Sequence, residues 1–337
     1  MKILITGANG FIGNPLCRRL AANHRVIGLD KTNAVSSENF VSTQADLTNF
    51  NSVDAICQEH TPDVVIHCAG IAHQKIGSTD LSTYMHVNSK ATENLAKTAA
   101  ENNPGMCFIF LSSISVYGEG RQGRRNVQTG QSRKNNNNSV GEDSDCHPSS
   151  DYALSKLDAE RRLTALNDKG IIQNLIILRL APVYDCEWSY NLDRRVTVPS
   201  NIAYIKYGSG QQEMSALARP NLVDFIEYLV HGLKHNQRID IFNVCDEKTY
   251  NFNQIIRTFK AFDAHHNQPV ISLPLPIVWL TTRMAGILFF QKRKWFYSCY
   301  DKLSSNQVFD NKKMLSTGFE PKYSLQTIFC PANKKKS

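Results

Sequence analysis

Tyr152 and Lys156 stand four residues apart in SDYALSKLDAE. On a helix that spacing puts both side chains on one face. An ammonium beside a phenol stabilises the phenolate and lowers its pKa. A tyrosine that ordinarily titrates near ~10 then becomes a usable acid and base near neutral pH. Among twelve tyrosines this is the only Tyr-x-x-x-Lys. Ser113, in LSSISVYG after an apolar run, offers a hydroxyl to hold the same substrate oxygen. Together the three suit proton removal from a substrate hydroxyl and its return, with hydride left for a carrier.

The first thirty residues supply a site for that carrier. Lys2 to Thr6 (KILIT) reads as a buried strand, because its apolar run has no helical period. Gly7, Gly10 and Gly13 follow in TGANGFIG, then an apolar helical pattern at Phe11, Ile12, Leu16 and Leu20. Arg25 to Leu29 is a second strand and ends on Asp30. Strand, glycine turn, helix, strand and terminal acid make a dinucleotide site. Gly7 permits the sharp turn, Gly10 lets the backbone approach a pyrophosphate, and Gly13 lets helix and strand pack closely. N–H groups at the helix start meet the phosphates. Asp30 accepts hydrogen bonds from the adenosine ribose and repels a 2′-phosphate, which favours NAD over NADP; the adjacent Lys31 works against that preference.

The remaining pattern supplies the frame. Phe40 to Leu47, Asp63 to Cys68, Cys107 to Ser112 and Asn174 to Leu180 read as further strands. Helices are expected over 51–60, 81–102 and 151–166, so strands and helices alternate. The expected fold is α/β, a Rossmann-like doubly wound parallel sheet. His67 and Cys68, as strand neighbours, point to opposite faces and belong to the core rather than to a metal site. From Ala181 onward the strands shorten. A smaller C-terminal substrate-binding α/β region is expected there, with helices over 221–235 and 251–262, interleaved with a last sheet strand at Asp240 to Val244. Glu119 to Ser150 is polar, with four consecutive asparagines, and reads as an insertion that is either a lid or inert.

With 337 residues and 42% hydrophobic composition, the chain can bury a large core. The net charge of +8 is spread over separate clusters, and no nucleic-acid motif accompanies them. Nine scattered cysteines without a C-x-x-C, and no signal-peptide pattern, lead us to expect reduced thiols in the cytoplasm. Pro274 to Tyr300 is strongly apolar, then basic and aromatic. The segment is too short and broken for a span. It reads either as an amphipathic helix packed on the body or as a peripheral membrane contact.

TGANGFIG, LSSISVYG and SDYALSKLDAE together resemble the extended short-chain dehydrogenase/reductase family of NAD-dependent epimerases and dehydratases. The resemblance covers Met1 to Val183 well and the rest loosely, so 1–183 is expected to be the NAD-binding domain and 184–337 the substrate-binding region. It implies that Asn9, Phe11, Ile12, Asp46 and Leu47 join the glycines and Asp30 around NAD, with Asp46 near the adenine. It also implies roles for Cys68, Ala69 and Gly70 in the HCAG turn, for Asn88 in NSKAT, and for Ser112. Pro182 and Val183 of ILRLAPVYD would line the nicotinamide. On the substrate side it implies His73, Ser113, Ser115, Tyr190, Asn191 and Arg219.

Within the family the chain is most similar to UDP-sugar 4-epimerases and the related C4 reductases of polysaccharide synthesis, which implies a nucleotide-sugar substrate and a homodimer. Two departures matter. Dehydratases place an Asp-Glu pair directly after the catalytic Ser or Thr, where this chain has Ile114 and Ser115. Glu213 and Met214 stand where a nucleotide-gripping arginine is expected, so Arg219, Arg194 or Arg195 would take that contact. Trp188 is a further candidate sugar or base contact. A reading from another class is a non-catalytic dinucleotide sensor, but such proteins typically lose the tyrosine or lysine retained here.

Overall fold

Ile3, Leu4 and Ile5 are fully buried and carry β1 (Lys2–Thr6) through the middle of a sheet. The fold is that of a computed structural model, which describes residues 1–32, 40–72, 79–118, 139–198, 202–233, 238–262, 268–290 and 293–330. After β1 come α1 (Gly13–Leu20), β2 (Arg25–Asp30), β3 (Phe40–Gln44), α2 (Phe50–His60) and β4 (Val64–His67). Next are α3 (Leu81–Met85), a π-turn (His86–Lys90), α4 (Ala91–Asn102), β5 (Cys107–Ser113), α5 (Asp151–Asp168) and β6 (Asn174–Leu180). The remainder runs β7 (Val183–Tyr184), α6 (Tyr190–Val196), β8 (Tyr204–Tyr207), β9 (Glu213–Met214), β10 (Leu217–Ala218), α7 (Arg219–His231) and β11 (Arg238–Val244). It closes with β12 (Tyr250–Asn251), α8 (Phe252–Phe262), β13 (Val270–Leu273), α9 (Leu275–Leu288), α10 (Arg293–Ser304), α11 (Lys312–Leu315) and α12 (Leu325–Ile328).

The seven-stranded sheet has the order β3-β2-β1-β4-β5-β6-β11. β1 pairs in parallel with both β2 and β4, and β4 in parallel with β5. The chain therefore winds outward from β1 to β3, then crosses back to start again at β4. In such sheets ligands bind beyond the carboxyl ends of the strands, at the point where the winding reverses. The register is level there: Thr6 pairs with Leu29 and with His67, and His67 with Phe110. Gly7 and Cys68 thus follow β1 and β4 level with Asp30 of β2 and Leu111 of β5, at the carboxyl ends of four neighbouring strands.

Contacts divide the chain into two units. The first is Met1–Val116, Ser150–Arg179 and Val223–Phe242; the second is Tyr117–Ser149, Leu180–Leu222 and Asn243–Ser337. Most of α7, from Val223 on, and most of β11 return to the first unit, and β11 completes the sheet beside β6. The core of the first unit joins Leu4, Ile27 and Val65 of the sheet to Leu95 and Ala99 of α4 and Leu163 of α5. That of the second joins Tyr184, Leu192 and Met214 to Phe252, Ile255 and Phe329.

Two segments depart from expectation. The insertion beyond residue 138 is held within the second unit: Val140 accepts from Asp310 N–H at 2.8 Å and from Asn243 Nδ2 at 3.1 Å. Residues 119–138 lie outside the described residues, as does His73. Pro274 to Tyr300 is not one packed amphipathic helix. It forms α9 and the start of α10, and α9 buries only Val278 and Gly286. Gly286 sits where α9 meets α10, since a Cβ there would come within 2.9 Å of the Tyr297 ring.

Candidate active site

The glycine turn works through sterics. Gly7 adopts φ +67°, and a Cβ on it would lie 2.9 Å from Ala69 N. A Cβ on Gly13 would lie 2.1 Å from the Gly7 carbonyl oxygen, so only glycine lets α1 begin against the turn. α1 starts with no side-chain cap and no acid in its first turn. A helix start of that kind favours an anion. The Asp30 carboxylate accepts from the Asn9 N–H at 3.1 Å and from the Thr32 N–H at 3.2 Å. Asn9 Nδ2 donates to the Thr32 carbonyl at 2.7 Å, closing the clasp. Lys31 turns away to Asp46, with Nζ 3.0 Å from Oδ2. Asp46 is held down at about 2: hydrogen bonds from Thr48 and the Lys31 ammonium outweigh its partial burial. The lysine that worked against NAD is thereby paired with another carboxylate. Phe11, Ile12 and Leu47 lie on the same two turns, after β1 and β3.

Tyr152 and Lys156 lie in the first two turns of α5, which Ser150 caps by accepting from the Ala153 N–H. Ser113 ends β5, and its hydroxyl hydrogen-bonds the Tyr152 phenol. Ser115 donates to the Ser113 Oγ from its own Oγ at 3.0 Å and from its N–H at 3.2 Å. Lys156 is buried, donates to the Leu111 carbonyl at 2.8 Å, and sits 4.7 Å from the Phe110 ring centre. Burial pulls its ammonium down to about 8, against the upward pull of Cys68 and Glu160.

The expectation that Lys156 lowers the phenol's pKa is corrected here. Burial pushes Tyr152 up to about 12; the Ser113 hydrogen bond lowers it, and the neighbouring Tyr84 raises it further. The ammonium is directed at a backbone carbonyl rather than at the phenol.

Asn88 occupies the π-turn, an irregularity the spacing did not reveal. Its Oδ1 accepts from the Ile71 N–H at 2.7 Å, and its Nδ2 donates to the Ile71 carbonyl at 2.9 Å and to Ser155 Oγ at 3.0 Å. One amide thus ties the loop after β4 to the catalytic helix. Gly70 leaves that loop close to both side chains: a Cβ there would come within 3.0 Å of Asn88 Oδ1 and 3.5 Å of Lys156 Nζ.

His67 is buried between Thr6 Oγ1, 2.6 Å from Nδ1, and Thr92 Oγ1, 2.8 Å from Nε2. Burial pulls it down to about 3 and pushes the Cys68 thiol up. Ser112, expected on the cofactor side, joins Glu160 and Arg179, two residues that sequence reading missed. Ser112 Oγ donates to Glu160 at 2.5 Å, and Arg179 Nη2 donates to the same carboxylate at 2.7 Å. The one available signal was that Glu160 follows Lys156 by four residues, on the same helical face.

The other expected residues lie in the second unit. Pro182 and Val183 follow β6, and Tyr190, Asn191, Arg194 and Arg195 lie on α6. Tyr190 is exposed and tilts against Trp188 at 6.0 Å, with the Arg194 guanidinium 5.1 Å from its ring centre. Arg219 is held by two carboxylates, Asp185 at 2.6 Å and Glu187 at 3.0 Å. Met214 is buried in the core and Glu213 is exposed, so neither replaces the expected arginine.

Sheet topology, glycine turn and the serine–tyrosine–lysine group define a dinucleotide-dependent enzyme of the short-chain dehydrogenase/reductase type. The chain belongs to the NAD dependent epimerase/dehydratase family, whose profile matches residues 3–244. It is 29% identical over 335 residues to the UDP-glucose 4-epimerase of Vibrio cholerae, covering 97% of this chain and 93% of that one. It is 24% identical over 337 residues to the N-acetyl-alpha-D-glucosaminyl-diphospho-ditrans,octacis-undecaprenol 4-epimerase of Escherichia coli O157:H7, covering 96% and 92%. Among solved structures, the UDP-glucuronic acid 4-epimerase of Bacillus cereus with UDP-glucuronic acid and NAD superposes with a TM-score of 0.71. That match has 20% identity and covers 100% of this chain and 99% of the other, a likeness of fold. The cofactor is NAD. The residues present fit it: the tight glycine turn, the uncapped helix start and the Asp30 clasp are features such a dinucleotide requires.

Proposed function

We propose that the protein epimerises C4 of a nucleotide-linked sugar, with a UDP-sugar as substrate. One observation carries this: Ser113, Tyr152 and Lys156 meet at the end of β5 and the start of α5, with Ile114 and Ser115 where a dehydratase carries two acids. Gly7, Gly10, Gly13 and Asp30 would hold the phosphates and adenosine ribose, and Lys156 the nicotinamide ribose. NAD supplies the hydride acceptor and, through its positive ring, the charge that eases ionisation of the phenol. Tyr152 removes the C4 hydroxyl proton, Ser113 fixes that oxygen, and Ser115 orients Ser113. Lys156 stays charged below about pH 8, which suits donation to that ribose, and leaves the positive ring and the Ser113 hydrogen bond to steady the phenolate. Epimerisation requires the 4-keto sugar to turn over before hydride and proton return; a reductase would stop at half of that cycle.

Purified protein incubated with UDP-glucose and UDP-N-acetylglucosamine, without added NADH, is expected to yield the C4 epimer by NMR. No epimer from either, in protein shown to bind NAD, would overturn the reading. A second reading, a sugar on a lipid diphosphate like that named for the E. coli relative, is favoured by the apolar residues that α9 turns outward. Turnover of N-acetylglucosaminyl-diphospho-undecaprenol in detergent, without turnover of the UDP-sugars, would select it.

A further inference from the structure

We infer that the α9–α10 hairpin docks the protein on the surface of a bilayer bearing anionic headgroups. α9 is built with its apolar stripe outward. Ile277, Leu280, Met284 and Ile287 recur at helical spacing and are 52%, 52%, 55% and 73% exposed. The stripe continues through Leu288, Phe289 and Phe290 at 76%, 59% and 71%. The inward line of the same helix is Val278 and Gly286, which α10 covers in part. A soluble helix ordinarily shows the reverse pattern, and scattered exposed apolar residues need no explanation, but a continuous stripe does.

Charge identifies what covers it. From Ala264 to Tyr300 the sequence has no Asp or Glu, while Arg283, Lys292, Arg293 and Lys294 are basic. The Arg283 guanidinium lies 4.1 Å from the Tyr297 ring centre and 5.6 Å from that of Trp279. Arg293 lies 5.3 Å from the Phe290 ring centre. Cations seated on aromatic rings beside an apolar stripe match the boundary between headgroups and acyl chains, and basic residues there are attracted to anionic lipid. The contact lies in the plane of the membrane. α9 has 14 residues, about 21 Å at ~1.5 Å each, short of a hydrocarbon core of about 30 Å. Among the described residues no helix is long and apolar enough to cross a membrane. This inference holds whichever sugar is turned over.

Co-sedimentation with phosphatidylethanolamine–phosphatidylglycerol vesicles tests it, with phosphatidylcholine vesicles as the neutral control. Wild type is expected to pellet with the anionic vesicles at low salt and to bind about tenfold less at high salt or to neutral vesicles. The Ile287→Asp, Leu288→Asp double variant changes two side chains more than 70% exposed. It should lose vesicle binding about tenfold or more while keeping the wild-type mass in light scattering and the wild-type NADH affinity. Wild type that stays in the supernatant at low salt overturns the inference. So does a double variant that binds vesicles as wild type does. Absence of vesicle binding with a smaller mass for the variant assigns the stripe to a second copy of this chain instead.

Discussion

At the residue scale, Tyr152 is the group on which turnover depends. Its phenol hydrogen-bonds the Ser113 hydroxyl, and burial already holds it at about 12. Tyr152→Phe removes the proton acceptor but leaves the glycine turn and Asp30 untouched. Turnover of the epimerised sugar should fall by about 10³-fold or more, while NADH affinity by fluorescence titration stays within about threefold. An active Tyr152→Phe enzyme would assign proton transfer elsewhere. Asp30 makes a second prediction. Its carboxylate is fixed by Asn9 and Thr32, and Lys31 is engaged by Asp46. NADH should bind about tenfold or more tighter than NADPH, and Asp30→Ala should reduce that gap to about threefold or less. Preference of the wild type for NADPH would mean that Lys31 leaves Asp46 for the 2′-phosphate.

At the element scale, polar ties hold the catalytic helix to the sheet. Glu160 and Arg179 form a buried pair, 4% and 6% exposed in their side chains, joining α5 to β6. Glu160→Gln leaves the Arg179 guanidinium with half a partner in the interior. Urea unfolding should show a loss of about 3–5 kcal/mol, and kcat should fall more than KM rises, because Lys156 shares that helix face. A His67 prediction concerns the tie between β1, β4 and α4. The native imidazole titrates at about 3, against 6.5 for the unfolded chain. Between those values the unfolded state binds a proton that the native state does not, so His67 removes stability as pH falls below 6.5. The share is about 1.4 kcal/mol per pH unit, or about 2 kcal/mol on reaching pH ~5. His67→Gln should be less stable than wild type at neutral pH yet show that much less acid sensitivity in the same unfolding measurement.

How much of this was written in the sequence varies with the kind of force involved. β1, the glycine turn and Asp30 were legible because each rests on a local requirement: an apolar run, a positive φ, a strand end. Tyr152 and Lys156 were legible by helical spacing. The π-turn at His86–Lys90 was not, because no propensity marks it; it forms where Asn88 must reach both Ile71 and Ser155, contacts remote in sequence. The direction of the Tyr152 shift was missed for the same reason, since burial and the Leu111 carbonyl that attracts Lys156 come from other elements. In α9 the apolar period was plain but its direction was not, because period alone does not say which side faces the core.

At the scale of the whole molecule, the question is which net reaction this architecture carries. Redox balance separates the outcomes. An epimerase returns the hydride it removes, so catalytic NAD suffices and no NADH accumulates. A dehydrogenase or reductase consumes the dinucleotide one for one. A dehydratase also returns hydride, but it must first remove a proton and a hydroxyl from neighbouring carbons, which needs acid and base groups beyond the tyrosine. Beside Ser113 this chain offers the apolar Ile114 and the hydroxyl of Ser115, whose donors are already spent on Ser113. Incubation of the NAD-loaded protein with UDP-N-acetylglucosamine should therefore give an epimer without net absorbance change at the NADH wavelength and without any 6-deoxy-4-keto product by mass spectrometry. Stoichiometric growth or loss of NADH would move the protein to the half-cycle enzymes. A product lighter by one water would show that dehydration does not require the carboxylate pair, and would return the choice of reaction to residues of the second unit.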